Sequence, residues 1–528
     1  MSVIAVGDTA ALGAALKTAQ AGDVIALAAG RYDGVRISKI DVAGAGVTIT
    51  SQDPNAPAEI AGLTVQGSAG LTFRDLTILS QPGADSSPNA VSGSARIAFD
   101  QVYFHGSLDD DPTNDAGGLQ VRSSTDVSIT NSTFEQLYWG VSHLDDTRLT
   151  ISDNEFHDLR MDGVRGGGSS FVTIARNSFR DFHIKEGDHG DVIQFWTTNT
   201  TSSAHDILIE NNIFVRGDGY IVQGICLRDE VGDLPYEHVV IRGNLVAGAT
   251  FNAITVGNSR DVTLEGNIVQ SFDDHDAYIL LRNVSGATVD GNSALKLKIL
   301  TSTDVVETGT IHASAVSDAG AAVVRQWLSG NMSAITGGAE DDVLRGSATG
   351  SVIRGGEGDD VLRGSANFDD INGNQGDDTA SGGAGDDWVV GGKGDDRLSG
   401  DAGDDLVYGN LGADTCEGGA GNDTLRGGQQ DDVLIGGAGD DYLSGDRDDD
   451  TMTGGAGADT FHSFGEAGID LITDFDFAEG DRLVLDAGTT YWVAQSGADT
   501  IVGMIGGGQV ILAGVAASSL GEGWITVG

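Results

Sequence analysis

Cysteine is almost absent from this chain of 528 residues. Cys226 and Cys416 are the only two, they lie far apart, and no CxxC occurs. A structural disulfide is therefore not expected, and a zinc site built on cysteine ligands is excluded. Cys226, in the apolar run YIVQGICL, reads as a core residue. Basic residues are scarce as well: 29 Lys+Arg stand against 79 Asp+Glu, for a formal net charge of −50. That balance argues against nucleic acid as a partner and against binding to an anionic membrane surface. No apolar run reaches about 18 residues, so no membrane span is expected. The opening MSVIAVGDTAALGAALKTAQ lacks a basic stretch leading into an apolar one, so no secretory signal of the usual kind is expected there.

What the chain does have is repetition. From Gly382 it reads GGAGDDWVV, GGKGDDRLS, GDAGDDLVY, GNLGADTCE, GGAGNDTLR, GGQQDDVLI, GGAGDDYLS, GDRDDDTMT and GGAGADTFH. The sixth place of each phrase is Asp: Asp387, Asp396, Asp405, Asp414, Asp423, Asp432, Asp441, Asp450 and Asp459. The frame reaches back through Asp378, Asp369 and Asp360, skips at Ser351, and resumes at Asp342. Glycines allow the positive-φ turns such a coil needs, and short apolar pieces such as Val433-Leu434 form its strands. Stacked coils bring aspartates face to face. Carboxylate and carbonyl oxygens at tight turns are hard ligands suited to calcium. Residues 337–463 hold 29 acidic and 7 basic residues, so without a cation the segment repels itself and calcium acts as a folding ligand.

This pattern resembles the RTX (repeats-in-toxin) calcium-binding β-roll of secreted bacterial proteins. The resemblance implies an extracellular location and export by the type I secretion apparatus, directed by an uncleaved C-terminal signal. The segment IDLITDFDFAEGDRLVLD (469–486) looks like the region that follows the repeats in that family.

Residues 1–335 carry a looser repeat of strand, Asn, small residue and apolar residue: ISDNEF, IARNSF, IENNIF, IRGNLV, LEGNIV and VDGNSA. The asparagines, Asn154, Asn177, Asn212, Asn244, Asn267 and Asn292, lie 23, 35, 32, 23 and 25 residues apart. A period near 23 with short β-rich pieces predicts a parallel β-helix, with the asparagines forming a ladder at one turn. DTAALGAALKTAQ followed by AGDVIALAAGRYDG resembles the N-terminal cap of right-handed parallel β-helix polysaccharide enzymes. The two long intervals place extra residues in loops, where solenoids carry their binding faces.

Aligning adjacent coils on their asparagines puts MDGVRGG (161–167) over GDVIQFW (190–196). Asp162 then stacks near Asp191, and Arg165 near Gln194. His189 lies on the same side of the strand as Asp191, the next coil brings Arg228, Asp229 and Glu230, and Lys185, His183 and Tyr220 are close in sequence. His143 sits on the preceding coil. Two carboxylates one strand apart repel unless a cation or a shared proton intervenes. Such a face suits a charged sugar polymer. Trp196 or Trp139 would stack on a pyranose ring, and Arg165 or Arg228 would pair with a uronate carboxylate. Neutralising that carboxylate acidifies the neighbouring C5 proton, which His189 or Lys185 would remove. His183, His205 and His275 read as solvated residues without a role.

The Asp188–Asp191 run DHGD resembles the D-P-H-D/E run of mannuronan C5-epimerases, which also join a β-helix to RTX repeats. Here Gly190 stands between the His and the second acid, and Pro is absent. The His-x-Asp-x-x-Gln order also resembles strands of β-helix polysaccharide lyases. A hydrolase of polygalacturonase type would use Asp162 and Asp191 as acid and base, yet that family's N-T-D…D-D…G-H-G sequence is not present. A non-catalytic adhesin is the remaining alternative.

The expectation is thus an all-β chain. Residues 1–335 form a right-handed parallel β-helix, 336–463 a calcium β-roll, and 464–528 a β-rich cap with the export signal. The function expected first is a secreted lyase cleaving an acidic polysaccharide by β-elimination, such as alginate or another exopolysaccharide. Catalysis is assigned to His189, Lys185, Asp162, Arg165 and Asp191, and substrate binding to Gln194, Arg228, Trp196, His143 and Tyr220. Calcium is expected on the thirteen in-frame aspartates, with a catalytic calcium at Asp162 and Asp191 as an alternative to their orienting the base.

Overall fold

The β-rich phrases of the first module become strands that pair in parallel with their counterparts one coil away. The structure is a computed structural model and describes all residues except 1, 54–55, 81–88, 109–114, 185–189, 198–199, 201–202, 217–221, 230–233, 251, 273–275, 313–320, 466 and 528. The chain divides into two units, Met1–Gly330 and Asn331–Gly528.

In the middle of the first unit a coil contributes three strands. Thr125–Thr130, Thr133–Glu135 and Val141–Leu144 make one coil; Thr147–Ser152, Glu155–His157 and Val164–Gly167 make the next. Each pairs in register with its counterpart, as in Val127↔Leu149, Phe134↔Phe156 and Val141↔Val164. No coil buries its apolar face alone, so the core forms only by stacking. Its centre is a file of phenylalanines. Phe104, Phe134, Phe156 and Phe179 stack at centroid spacings of 4.6, 4.7 and 4.8 Å. The Phe156–Phe179 contact follows from the repeat phrase itself, because these two residues stand two places after Asn154 and Asn177.

The asparagine ladder is present along its whole length. Asn154 donates from its backbone and its side chain to Asn177 Oδ1, and the same double contact runs through Asn212, Asn244, Asn267 and Asn292. Each Nδ2 also donates to a carbonyl of the preceding coil, such as Asn212 Nδ2 to Ile174 O at 2.9 Å. These turns are buried, and an unmet buried donor costs about 1–3 kcal/mol, so the ladder keeps the turns folded. A second ladder at another turn uses Ser68, Ser94, Ser124, Asp146 and Ser169. Its serines carry no repeat phrase of their own in the sequence.

Thr9–Leu16 is the expected N-terminal helix. Asp8 Oδ1 caps it by accepting from Ala11 N at 2.7 Å, and Leu12 and Leu16 are buried against the first strands. A second helix, Ala321–Asn331, closes the unit, with Trp327 Nε1 donating to Gly243 O.

The second unit is a two-sheet roll. Successive nonapeptides alternate between sheets, so each strand pairs with the one 18 residues on, as in Val389↔Val407 and Leu398↔Cys416. One residue per phrase points inward. Val389, Leu398, Val407, Cys416, Leu425, Leu434, Leu443, Met452 and Phe461 are all buried. Two flanking stretches join the roll's sheets. Ser333–Thr336 pairs with Ser351–Glu357 and belongs to the roll, because its backbone groups complete that sheet. After residue 463, Ile469–Ile472 and Arg482–Leu485 extend the two roll sheets, and an antiparallel pair, Tyr491–Ser496 with Asp499–Met504, ends one of them.

Candidate active site and calcium ladders

On the outer face of the first unit the strands Val164–Gly167 and Asp191–Trp196 align Arg165 with Gln194. Asp162 lies just before the first of these strands, and its Oδ1 accepts from Asp191 N at 2.9 Å. The juxtaposition read from the asparagine frame is therefore the one found. Arg165 Nη1 donates to Asp162 Oδ2 at 3.2 Å, and Gln194 Nε2 donates to Asp191 Oδ2 at 2.5 Å. The Arg165 guanidinium lies 5.4 Å from the Trp139 ring and 5.2 Å from the Trp196 ring, between two indoles that favour a cation at their faces.

Depth separates the members of this cluster. Asp162 and Asp191 are 1% and 0% exposed, whereas Arg165 and Gln194 are part-exposed. Burial pushes the Asp162 carboxyl up to about 6, the Asp191 charge adds to the rise, and Arg165 opposes it. The buried acids thus act from beneath, holding the two groups that reach the surface. Both Asp162 oxygens are engaged, and among the described residues no third His, Cys, Asp or Glu joins the pair. Arg165 is the neutralising cation there.

Several expected site residues differ in placement. His143 was expected to touch substrate, but it is 1% exposed, its Nδ1 pairs with Ser169 Oγ at 2.9 Å, and burial pulls its pKa down to about 3. It alternates inward while Ser142 shares the Arg165 column, so it is a neutral interior residue. Trp196 was expected to stack on sugar, yet one face of its ring is taken by Arg165. Cys226 is buried, as expected, and its register partners are Gln194 and Thr255. Arg228 pairs in register with Trp196 and donates to Gln223 Oε1 at 3.3 Å. Asp229 accepts from Thr197 Oγ1 at 2.7 Å. His183 and His205 are not simply solvated: His183 Nε2 meets Asp158 Oδ1 at 2.8 Å and His205 Nδ1 meets Asp206 Oδ2 at 2.7 Å. Lys185, His189, Tyr220, Glu230 and His275 lie outside the described residues.

The roll presents the aspartates as two parallel columns. In each, the backbone N–H of one Asp donates to Oδ1 of the Asp 18 residues on, as from Asp378 to Asp396 and from Asp387 to Asp405, both near 2.8 Å. The other oxygen is the informative one. In Asp360, Asp378, Asp387, Asp396, Asp405, Asp414, Asp423, Asp432, Asp441 and Asp450, Oδ2 is buried with no hydrogen-bond partner among the described residues. Burial and neighbouring aspartates push Asp387 up to about 9 and Asp432 and Asp450 to about 8. A Cβ added at Gly382 would lie 2.5 Å from Asp387 Oδ2, so only glycine leaves that oxygen its space. Gly385, at φ 116°, makes the turn beside it. Orphaned, buried carboxylate oxygens in a hard-ligand setting fit calcium. Asp342, at the roll's start, instead spends its Oδ2 on Gly338 N at 2.7 Å. Two aspartates outside the expected frame continue the columns. Asp481 Oδ1 accepts from Asp459 N at 3.0 Å, and Asp470 is likewise buried, with an unpartnered Oδ1.

Residues 91–294 match the family model of the right-handed β-helix region. Four copies of the RTX calcium-binding nonapeptide repeat match residues 336–371, 363–398, 390–425 and 426–461. The chain thus combines a right-handed β-helix region with RTX calcium-binding repeats. No curated protein matches the sequence significantly. Among solved structures it is similar to an alginate lyase from Paenibacillus sp. str. FPU-7, at 18% identity and TM-score 0.30, covering 59% of this chain and 99% of that one. It is also similar to a lacto-N-biosidase from Eubacterium ramulus, at 12% identity and TM-score 0.36, covering 60% and 67%. A third is PfbA, a surface adhesin of Streptococcus pneumoniae, at 14% identity and TM-score 0.36, covering 57% and 90%.

Proposed function

We propose that this protein is a secreted enzyme that cleaves an acidic, uronate-containing polysaccharide by β-elimination on the outer face of its β-helix. The observation that carries the reading is the Arg165 guanidinium, flanked by Trp139 and Trp196 and tethered to buried Asp162. A planar cation fixed in this way is preorganised for a sugar carboxylate. Arg165 and Gln194 are assigned to the uronate, with Arg228 one coil further along. Asp162 and Asp191 are positioning residues, since burial keeps them from touching a polymer. The base is His189, with Lys185 as the rival. It takes the C5 proton, the electron pair forms the C4–C5 double bond, and the glycosidic bond at C4 breaks with its oxygen leaving to be protonated.

The depth of the two acids also argues against hydrolysis of polygalacturonase type. That chemistry needs two carboxyls flanking the scissile bond, and side chains 0–1% exposed do not flank a bound polymer. A C5-epimerase shares the first step and differs in returning the proton to the opposite face. The RTX repeats support an extracellular site of action, with calcium holding the roll folded and type I secretion as the route. Among the described residues no helix is long and apolar enough to cross a membrane.

The test is product analysis with calcium-loaded protein on alginate, pectate and glycosaminoglycans. The expected result is new ultraviolet absorbance from an unsaturated uronate end. Solvent hydrogen exchange at C5 without cleavage would assign an epimerase. New reducing ends without the chromophore would assign a hydrolase, and binding without any of these an adhesin.

A further inference from the structure

Around the corner from Arg165, three successive coils bring a second set of side chains together. Glu135 and His157 are register partners on strands Thr133–Glu135 and Glu155–His157. Asp158 follows at a left-handed turn, φ 54°, and His183 comes from the coil after. His157 Nδ1 lies 2.7 Å from Asp158 Oδ2, and His183 Nε2 lies 2.8 Å from Asp158 Oδ1. One ligand atom each from Glu135, His157 and Asp158 lies within 4.8 Å of the others. The Tyr103 hydroxyl donates to Glu135 Oε2, and the His105 ring stacks on Tyr103 at 5.0 Å.

We infer that Glu135, His157, Asp158 and His183 form a transition-metal site, of the class that takes zinc, separate from the calcium ladders of the roll. The donor set decides the class. Two imidazoles and two carboxylates suit zinc and its neighbours, whereas calcium takes oxygen alone. Geometry allows it: zinc bonds of about 2.1 Å in a tetrahedron place ligand atoms about 3.4 Å apart. The two His–Asp contacts need open by only some tenths of an ångström, while the group's atoms draw in from as much as 4.8 Å and His183, outside that group, closes on them from Asp158. Those contacts are bridges in which a proton sits where the cation would. Tyr103 supplies the outer hydrogen bond that orients a carboxylate ligand. The site is reachable, with side-chain exposures of 13% for His157, 31% for Asp158 and 40% for His183. A bound metal would tie three coils together on the flank of the proposed cleft.

The test uses the full chain with its roll saturated in calcium and Co2+ as the probe. Wild-type protein is expected to bind one Co2+ with the visible absorption of a mixed nitrogen–oxygen site, displaced by Zn2+. Zn2+ is expected to raise the unfolding midpoint of the β-helix. His157→Ala and Asp158→Asn should each weaken Co2+ binding at least about tenfold. His183→Ala, at the most exposed ligand, serves where those variants do not fold, and should change the spectrum and weaken binding as well. No Co2+ absorption in wild-type protein, or His183→Ala protein with wild-type spectrum and affinity, would overturn the proposal.

Discussion

Removing calcium from the roll at two pH values tests how its aspartates are balanced. Their pKa values are raised by burial and by one another: Asp378, Asp414, Asp441 and Asp459 stand at about 6, Asp396 and Asp405 at about 7, and Asp387 at about 9, against 3.8 for a free side chain. A raised acid means that the folded roll holds protons the unfolded chain has already lost. The metal-free stability is therefore fully present below about pH 4 and declines as pH rises through about 6 to 9. A carboxyl raised to about 6 costs about 3 kcal/mol to ionise in the folded state relative to the unfolded one. Two such groups match the lower end of a domain's net stability, about 5 kcal/mol, so a metal-free roll with every aspartate charged does not stay folded. Hydrogen exchange read by mass spectrometry on peptides from 360–460, with chelator present, should show strong protection at pH 5 and almost none at pH 8. Calcium should restore protection at pH 8, because it neutralises in the folded roll the carboxylates that protons no longer cover. Equal protection at both pH values without calcium would refute the reasoning.

Gly382→Ala should raise the calcium concentration needed to fold the roll, since the new methyl would meet Asp387 Oδ2 at 2.5 Å; calcium titration of peptide protection checks it. Asn212→Leu removes a side chain that bonds to Asn177, Ile174 and Asn244 in the buried ladder. It should destabilise the β-helix by about 2–4 kcal/mol in thermal unfolding while leaving the calcium response of the roll unchanged. His189→Ala should abolish turnover of the uronate polymer without altering calcium-dependent folding, and wild-type turnover by that variant would remove His189 from the mechanism.

Much of this molecule is written in its periodicities. A period of nine, broken once at Ser351, placed the thirteen in-frame aspartates of the roll, because one residue per phrase must turn inward and one must face the neighbouring coil. The asparagines at their looser spacing marked the β-helix turns well enough to set Asp162 beside Asp191 and Arg165 beside Gln194. Depth was not legible. Nothing in MDGVRGG or GDVIQFW says that the acids lie under the surface while Arg165 and Gln194 reach it, since that depends on two tryptophans closing over the guanidinium. His143 was misplaced for a related reason. A histidine on a polar strand reads as exposed, but the alternation set by Val141 turns it inward. Asp470 and Asp481 were missed as ladder members because the spacing changes after Asp459, from 18 residues to 20 and 22, while the backbone pairing continues. His183 gave no sign of Asp158, 25 residues earlier, because only coil stacking brings them together.

The central claim is that Arg165 on this outer face receives the uronate carboxylate. Its most direct test is the turnover of an acidic polysaccharide by calcium-loaded Arg165→Lys protein, compared with wild type. Lysine keeps the charge but loses the planar fork held between Trp139 and Trp196. The predicted result is a fall in kcat/KM of about 100-fold, equivalent to about 2.7 kcal/mol of lost transition-state stabilisation. A wild-type rate in that variant would contradict the account.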